Sequence, residues 1–245
     1  MSVRIKGTSN VLAIRWIPKY TTLERTLHWV HTATFIPLAL TGFILFASWL
    51  QPLAQGEAGL FVRLVHRIAA VIFIGVPILY AILQPRRLMM HLREFLSFDK
   101  YDILWLRGAF PYYVLGRHGD MPPQPRFNTG ERMNAVVTTL GTIVFAVTGI
   151  PMWFMRGMIP PSVYEGLVII HGVAFIVTGV MFMVHFYLAV VHPMMWQGLV
   201  SMRFGVVSES YAREHHAIWY YGEKRAKQQW EASHKQPDSE EQQKG

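Results

Sequence analysis

Apolar residues along this chain gather into four long runs, separated by polar stretches. The runs cover about Thr26 to Leu50, Leu60 to Leu83, Arg132 to Met155 and Ser162 to His192. A helix rises 1.5 Å per residue, so about 20 apolar residues cross a hydrocarbon core roughly 30 Å thick. The pattern therefore predicts an all-α membrane protein, a four-transmembrane-helix bundle over residues 26–195. A polar N-terminal arm (1–25), a long polar loop (84–131) and a polar C-terminal tail (196–245) complete the chain. Trp29 and Trp49 stand near the two ends of the first run, where aromatic belts form. Pro37 predicts a kink there, and Gly141 and Gly149 in the third run suit close helix contact. In the loop, LRGAFPYYVL is expected to lie along the membrane surface. In the tail, SESYAREHHAIWYYGEKRAKQQWEA reads as a surface helix with an aromatic face, and the last dozen residues as disordered.

Charge fixes the expected orientation. With four spans, both termini and the long loop share one side, and that side holds 20 of the 23 Lys and Arg. The short opposite links hold only Arg63 and Arg156, and Arg67 lies within a span. The positive-inside rule then makes the termini and the loop cytoplasmic. The first run is expected to act as a retained insertion signal. The net charge of +8 is thus a topology signal, which leaves no case for a nucleic-acid partner. The chain has no cysteine. It therefore cannot ligate an iron–sulfur cluster through thiolates, attach haem covalently through C-x-x-C-H, or form a disulfide.

The chemistry lies in histidines placed inside apolar runs. His171 and His185 are 14 residues apart on the fourth run, about 21 Å along a helix and nearly on one face. Ionisable groups inside a membrane are costly and mark functional positions. Topology assigns depth: His28 and His185 fall near the cytoplasmic face, His66 and His171 near the outer face. The pairs His28/His185 and His66/His171 follow, each able to give axial ligands to one of two stacked b-type haems. A six-coordinate iron of that kind suits electron transfer. Each ligand is expected to have its second ring nitrogen held by a carbonyl or hydroxyl. His31 and His192 are the rival ligands, with His192 expected at the interface. His91, His118 and His234 read as solvated loop residues, and His215 and His216 as a surface or subunit contact rather than a metal pair. Arg67 either snorkels or meets a haem propionate.

These residues resemble one family. LHW in the first run, RLVH in the second, RFNTGERM before the third, IIHGVAFI and VHFYLA on the fourth, and REHHAIWYY in the tail are similar to the cytochrome b (gamma) subunit of membrane-bound respiratory formate dehydrogenases. The resemblance implies a di-haem membrane anchor in the bacterial inner membrane. Its partners would be an iron–sulfur (beta) subunit and a molybdenum or tungsten catalytic (alpha) subunit, which holds the formate oxidation site. Its acceptor would be a quinone, menaquinone or ubiquinone, reduced near the cytoplasmic side. By position, His66 and His171 would bind the outer haem and His28 and His185 the inner one. Asn128, Gly130 and His185 would border the quinone, and Glu131, where the family often has Gln, would relay protons. Asn128 also reads as a helix N-cap, with Glu131 three residues on completing a capping box. Two other readings compete. One is the cytochrome b of a different quinone-linked oxidoreductase, such as a hydrogenase or thiosulfate reductase. The other is a haem-free anchor or transporter, whose usual internal repeats and broken helices the sequence does not show.

Overall fold

The computed structural model describes residues 14–116, 121–193 and 195–234. The expectations for the N-terminal arm before Ile14, for His118 and for the tail beyond His234 concern residues outside that set. The helices are α1 (Thr22–Phe46), α2 (Gly56–Leu83), α3 (Pro85–Leu96), α4 (Lys100–Tyr113), α5 (Thr129–Phe154), α6 (Pro161–Phe186), α7 (Gln197–Phe204), α8 (Glu209–His215), α9 (Ala217–Tyr221) and α10 (Glu223–His234). A 3-10 segment, Ser48–Ala54, follows α1, and a π-helical turn, Tyr187–Val191, extends α6. Two three-residue strands, β1 (Trp16–Pro18) and β2 (Val206–Ser208), pair antiparallel.

Four helices are long and apolar enough to cross a membrane: α1, α2, α5, and α6 with its π turn. The chain is a multi-pass helical membrane protein, as the four apolar runs predict. The first span ends at Phe46 rather than Leu50. Ala47 is extended and the chain turns into the 3-10 segment containing Pro52, so Trp49 lies beyond the helix.

The chain divides into two compact units. One, the span unit, comprises Thr22–Arg93 and Asn134–Tyr187. Its buried threonines solve a local problem, since a hydroxyl in an apolar span needs a partner. Thr34, Thr41, Thr142, Thr148 and Thr178 each donate to the carbonyl four residues back. Gly141 lets α5 meet α6, because a Cβ there would fall 2.3 Å from Thr178 Cγ2.

The other, the polar unit, gathers residues 14–21, Glu94–Met133 and 188–234. The stretch expected as a long polar loop contains α3 and α4. Their start signals are local: Pro85 occupies the first position of α3, and Asp99 and Asp102 form a capping box on α4. The tail folds as three short helices rather than one surface helix. Tyr211 and Ala212 are buried in a cluster with Met195 and Val207, against Ile17, Tyr113, Trp219 and Tyr220. Gly205, at φ +82°, ends α7 and directs the chain into β2, and its carbonyl accepts from the Lys19 and Tyr20 N–H groups.

Candidate functional site

Helices α1, α2 and α6 bring four histidines of the span unit into two pairs. The ring centres of His28 and His185 are 6.4 Å apart, and those of His66 and His171 are 6.5 Å apart. The second pair is held by hydroxyls. Thr41 Oγ1 lies 2.8 Å from His66 Nδ1, and Thr148 Oγ1 lies 2.7 Å from His171 Nδ1. Phe145 packs on the His171 ring at 4.9 Å. In the first pair, His28 Nδ1 is buried without a hydrogen-bond partner.

Two facing imidazoles are too few for a bare ion, since structural metal sites take four ligands and catalytic ones three plus water. Among the described residues no group of three or more His, Cys, Asp or Glu could hold a metal. Haem brings its own four equatorial nitrogens and asks the protein for axial ligands only. A metal–imidazole bond of about 2.0 Å, plus about 1.1 Å from nitrogen to ring centre, puts two imidazoles that share one ion from opposite sides about 6.2 Å apart between centres. Both observed separations match that span, so the residues fit the group. His31 is engaged elsewhere in this unit, stacked on Phe73 at 4.0 Å. Arg67 lies over the Trp153 ring at 5.2 Å, an aromatic contact the sequence reading did not include.

His91 and His216 are not where the sequence suggests. His91 is buried on α3 rather than solvated, with Nε2 3.2 Å from Glu24 Oε1 and Nδ1 3.3 Å from the Tyr80 hydroxyl. His192 is buried in the polar unit, its Nε2 2.9 Å from the Tyr113 carbonyl. His216 is fully buried rather than a surface contact, and both ring nitrogens are engaged: Nδ1 with the Pro125 carbonyl at 2.8 Å and Nε2 with Lys19 Nζ at 3.0 Å. Polarity along the sequence does not report this burial. His215 packs against Tyr211 with ring centres 4.3 Å apart, and His234 is exposed at the end of α10.

The turn before α5 is the polar hub of its unit. Asn128 Oδ1 and the Glu131 carboxylate cap each other's backbone N–H groups. Glu131 Oε1 also pairs with the buried Lys19 ammonium at 3.2 Å. Burial lowers the Lys19 pKa, and the Glu131 charge opposes that shift. Burial, reinforced by the Lys19 charge, holds His216 down at about 3, so it is neutral. Arg132 pairs with Asp102, and Thr129 Oγ1 donates to the same carboxylate at 2.5 Å. Gly130 has a packing role: a Cβ there would fall 2.9 Å from the Trp105 indole. The resemblance places Gly130 beside a quinone, and in the structure the Trp105 indole lies against it. The structure thus gives Asn128, Gly130 and Glu131 local structural work, while His185 belongs to the span unit.

The threonines beside His66 and His171 escape sequence reasoning. Each lies more than twenty residues from its histidine, and the spans carry other threonines that look identical in a linear pattern.

Residues 19–205 match the family described as prokaryotic cytochrome b561. The chain is 27% identical over 207 residues to the cytochrome b556(Fdn) subunit of the nitrate-inducible formate dehydrogenase of Escherichia coli K12, covering 81% of this chain and 87% of that one. It is also 27% identical over 214 residues to the formate dehydrogenase cytochrome b556(fdo) subunit of the same organism, covering 83% and 92%. The resemblance drawn from the histidine-bearing segments is borne out by these matches.

Proposed function

The chain belongs to the prokaryotic cytochrome b561 family, and we propose that it is the di-haem cytochrome b subunit of a respiratory formate dehydrogenase. In this reading it passes electrons from an iron–sulfur subunit, fed by a molybdenum or tungsten catalytic subunit, across the bacterial inner membrane to a quinone. The observation that carries the reading is the pair of ring separations, 6.4 and 6.5 Å, each the span of two imidazoles on one iron. The formate dehydrogenase relatives support the choice of complex. Haem, when bound, supplies a one-electron iron couple.

The chain's own residues do the rest. His28 and His185 would hold one haem, and His66 and His171 the other. Phe145 covers one face of His171, and Phe35 packs on Phe73 and Phe182, which keeps this part of the span unit apolar. The Lys and Arg distribution supports cytoplasmic termini, with His66/His171 on the outer side and His28/His185 on the inner side. Quinone reduction on the cytoplasmic side is the family's role carried over to this chain. If Asn128 serves there, its Oδ1 accepts in the cap while Nδ2, the only donor on the amide, would donate to a quinone carbonyl.

The test is haem stoichiometry in the purified complex. Reduced-minus-oxidised spectra and acid–acetone extraction should give two non-covalent b haems per chain, and His171→Ala should remove one. A single haem per chain, or two retained in His171→Ala, overturns the pairing.

A further inference from the structure

We propose that Thr41 and Thr148 are positioning residues that fix the tautomer and strengthen the donor power of His66 and His171, which stabilises the haem they would hold in its ferric state. The proposal rests on the haem reading above.

A threonine hydroxyl has one proton and two lone pairs. Thr41 Oγ1 lies 2.6 Å from the Pro37 carbonyl, and Thr148 Oγ1 lies 2.6 Å from the Val144 carbonyl. A carbonyl accepts only, so both hydroxyl protons are committed to the helix backbone. The same oxygens sit 2.8 and 2.7 Å from His66 Nδ1 and His171 Nδ1. With their protons spent, they meet the rings as acceptors, and each Nδ1 must carry the hydrogen. Nε2 is then the nitrogen with a free lone pair, the one a metal needs. With the other tautomer the hydroxyl oxygen and the carbonyl oxygen would face each other at 2.6 Å with no proton between them.

Both ligands of this site are built alike, on different helix pairs: Thr41 of α1 serves His66 of α2, and Thr148 of α5 serves His171 of α6. The other site is built differently, since His28 Nδ1 is buried with no hydrogen-bond partner. An acceptor on the distal N–H makes an imidazole a more basic ligand. A more basic axial ligand favours ferric over ferrous iron and lowers the midpoint potential. The hydroxyl is a neutral acceptor, so it adds donor strength without placing a second charge in the span. The two sites are thereby tuned unequally by the chain itself.

The experiment compares Thr41→Val and Thr148→Val, singly and together, with Thr41→Ser and Thr148→Ser, in the assembled complex. Potentiometric titration followed at the b-haem absorption bands is the readout, with the low-spin ferric EPR signals as a second. The valine variants should keep the hydrophobic volume and raise the midpoint potential of one haem only, more in the double variant. Serine should restore the wild-type value. Unmoved potentials with two haems present overturn this proposal and leave the haem reading standing. A valine effect, including haem loss, that serine does not reverse also overturns it. Wild-type complex lacking two haems per chain overturns the haem reading instead.

Discussion

Asn128 and Glu131 hold each other's backbone: Asn128 Oδ1 accepts from the Glu131 N–H at 2.9 Å, and Glu131 Oε2 accepts from the Asn128 N–H at 2.8 Å. Loss of a side-chain cap of this kind costs about 1 kcal/mol. Asn128→Ala should therefore lower the unfolding midpoint modestly, and Asn128→Asp should largely preserve it. Thermal unfolding of the purified complex measures both.

Glu131→Gln should cost more than Asn128→Ala. Glutamine can still cap, but it leaves the Lys19 ammonium, only 2% exposed, without its carboxylate. Removing one partner of a buried pair costs about 3–5 kcal/mol. The Glu131 side chain keeps 29% of its surface, so the lower end applies. A Glu131→Gln midpoint equal to that of Asn128→Ala would show that the ion pair contributes nothing.

Acid should weaken the polar unit through His216. Its folded-state value of about 3 lies below the ordinary 6.5, so between those pH values the unfolded chain binds the extra proton. The stability contributed by neutral His216 is therefore fully present above pH 6.5 and is lost as pH falls toward 3, at no more than about 1.4 kcal/mol per unit. His216→Gln should flatten the pH dependence of unfolding across that window. An unchanged slope would refute the assignment.

Gly141→Ala should loosen the contact between α5 and α6. The added Cβ would meet Thr178 Cγ2 at 2.3 Å, and overpacking of this kind costs about 1–3 kcal/mol. Thr178→Ser deletes the offending methyl and keeps the hydroxyl, so the double variant should recover much of the loss. Recovery that fails in the double-mutant cycle would place the strain elsewhere.

His31→Phe should leave the haem complement intact, because the ring stacks on Phe73 and a phenyl can replace it there. His28→Phe should remove one haem. Pyridine haemochrome assays of the two variants distinguish the neighbours directly.

The spans were legible because a bilayer imposes one long-wavelength rule, and four apolar runs obey it. The juxtaposition of His66 with His171, and of His28 with His185, was legible because topology converts sequence order into depth. Helices α3 and α4 were not, because α3 is polar on average, α4 has no strong apolar face, and their start signals, Pro85 and the Asp99–Asp102 box, are short. Long-range polar contacts were out of reach altogether. Lys19 meets Glu131 and His216 from far away in sequence, and a lysine in a basic arm looks solvated until its partners are known. Gly130 shows the same limit from the other side: glycine signals a close approach, but sequence does not say whether an indole or a ligand approaches.

The four spans cover little of their own surface, with no more than 17% of any apolar window buried within the chain. Lipid accounts for the outward faces, and the paired imidazoles of His28 with His185 and His66 with His171 lie between the spans. A cofactor that binds only the folded form stabilises it by mass action, so with the haems proposed here the steady-state amount of this chain would follow haem supply rather than synthesis alone. A cell short of haem would lose that contribution, and more of the chain would be unfolded at steady state. The same paired histidines that suit electron transfer would then also act as a checkpoint on biogenesis, admitting only the loaded chain to assembly.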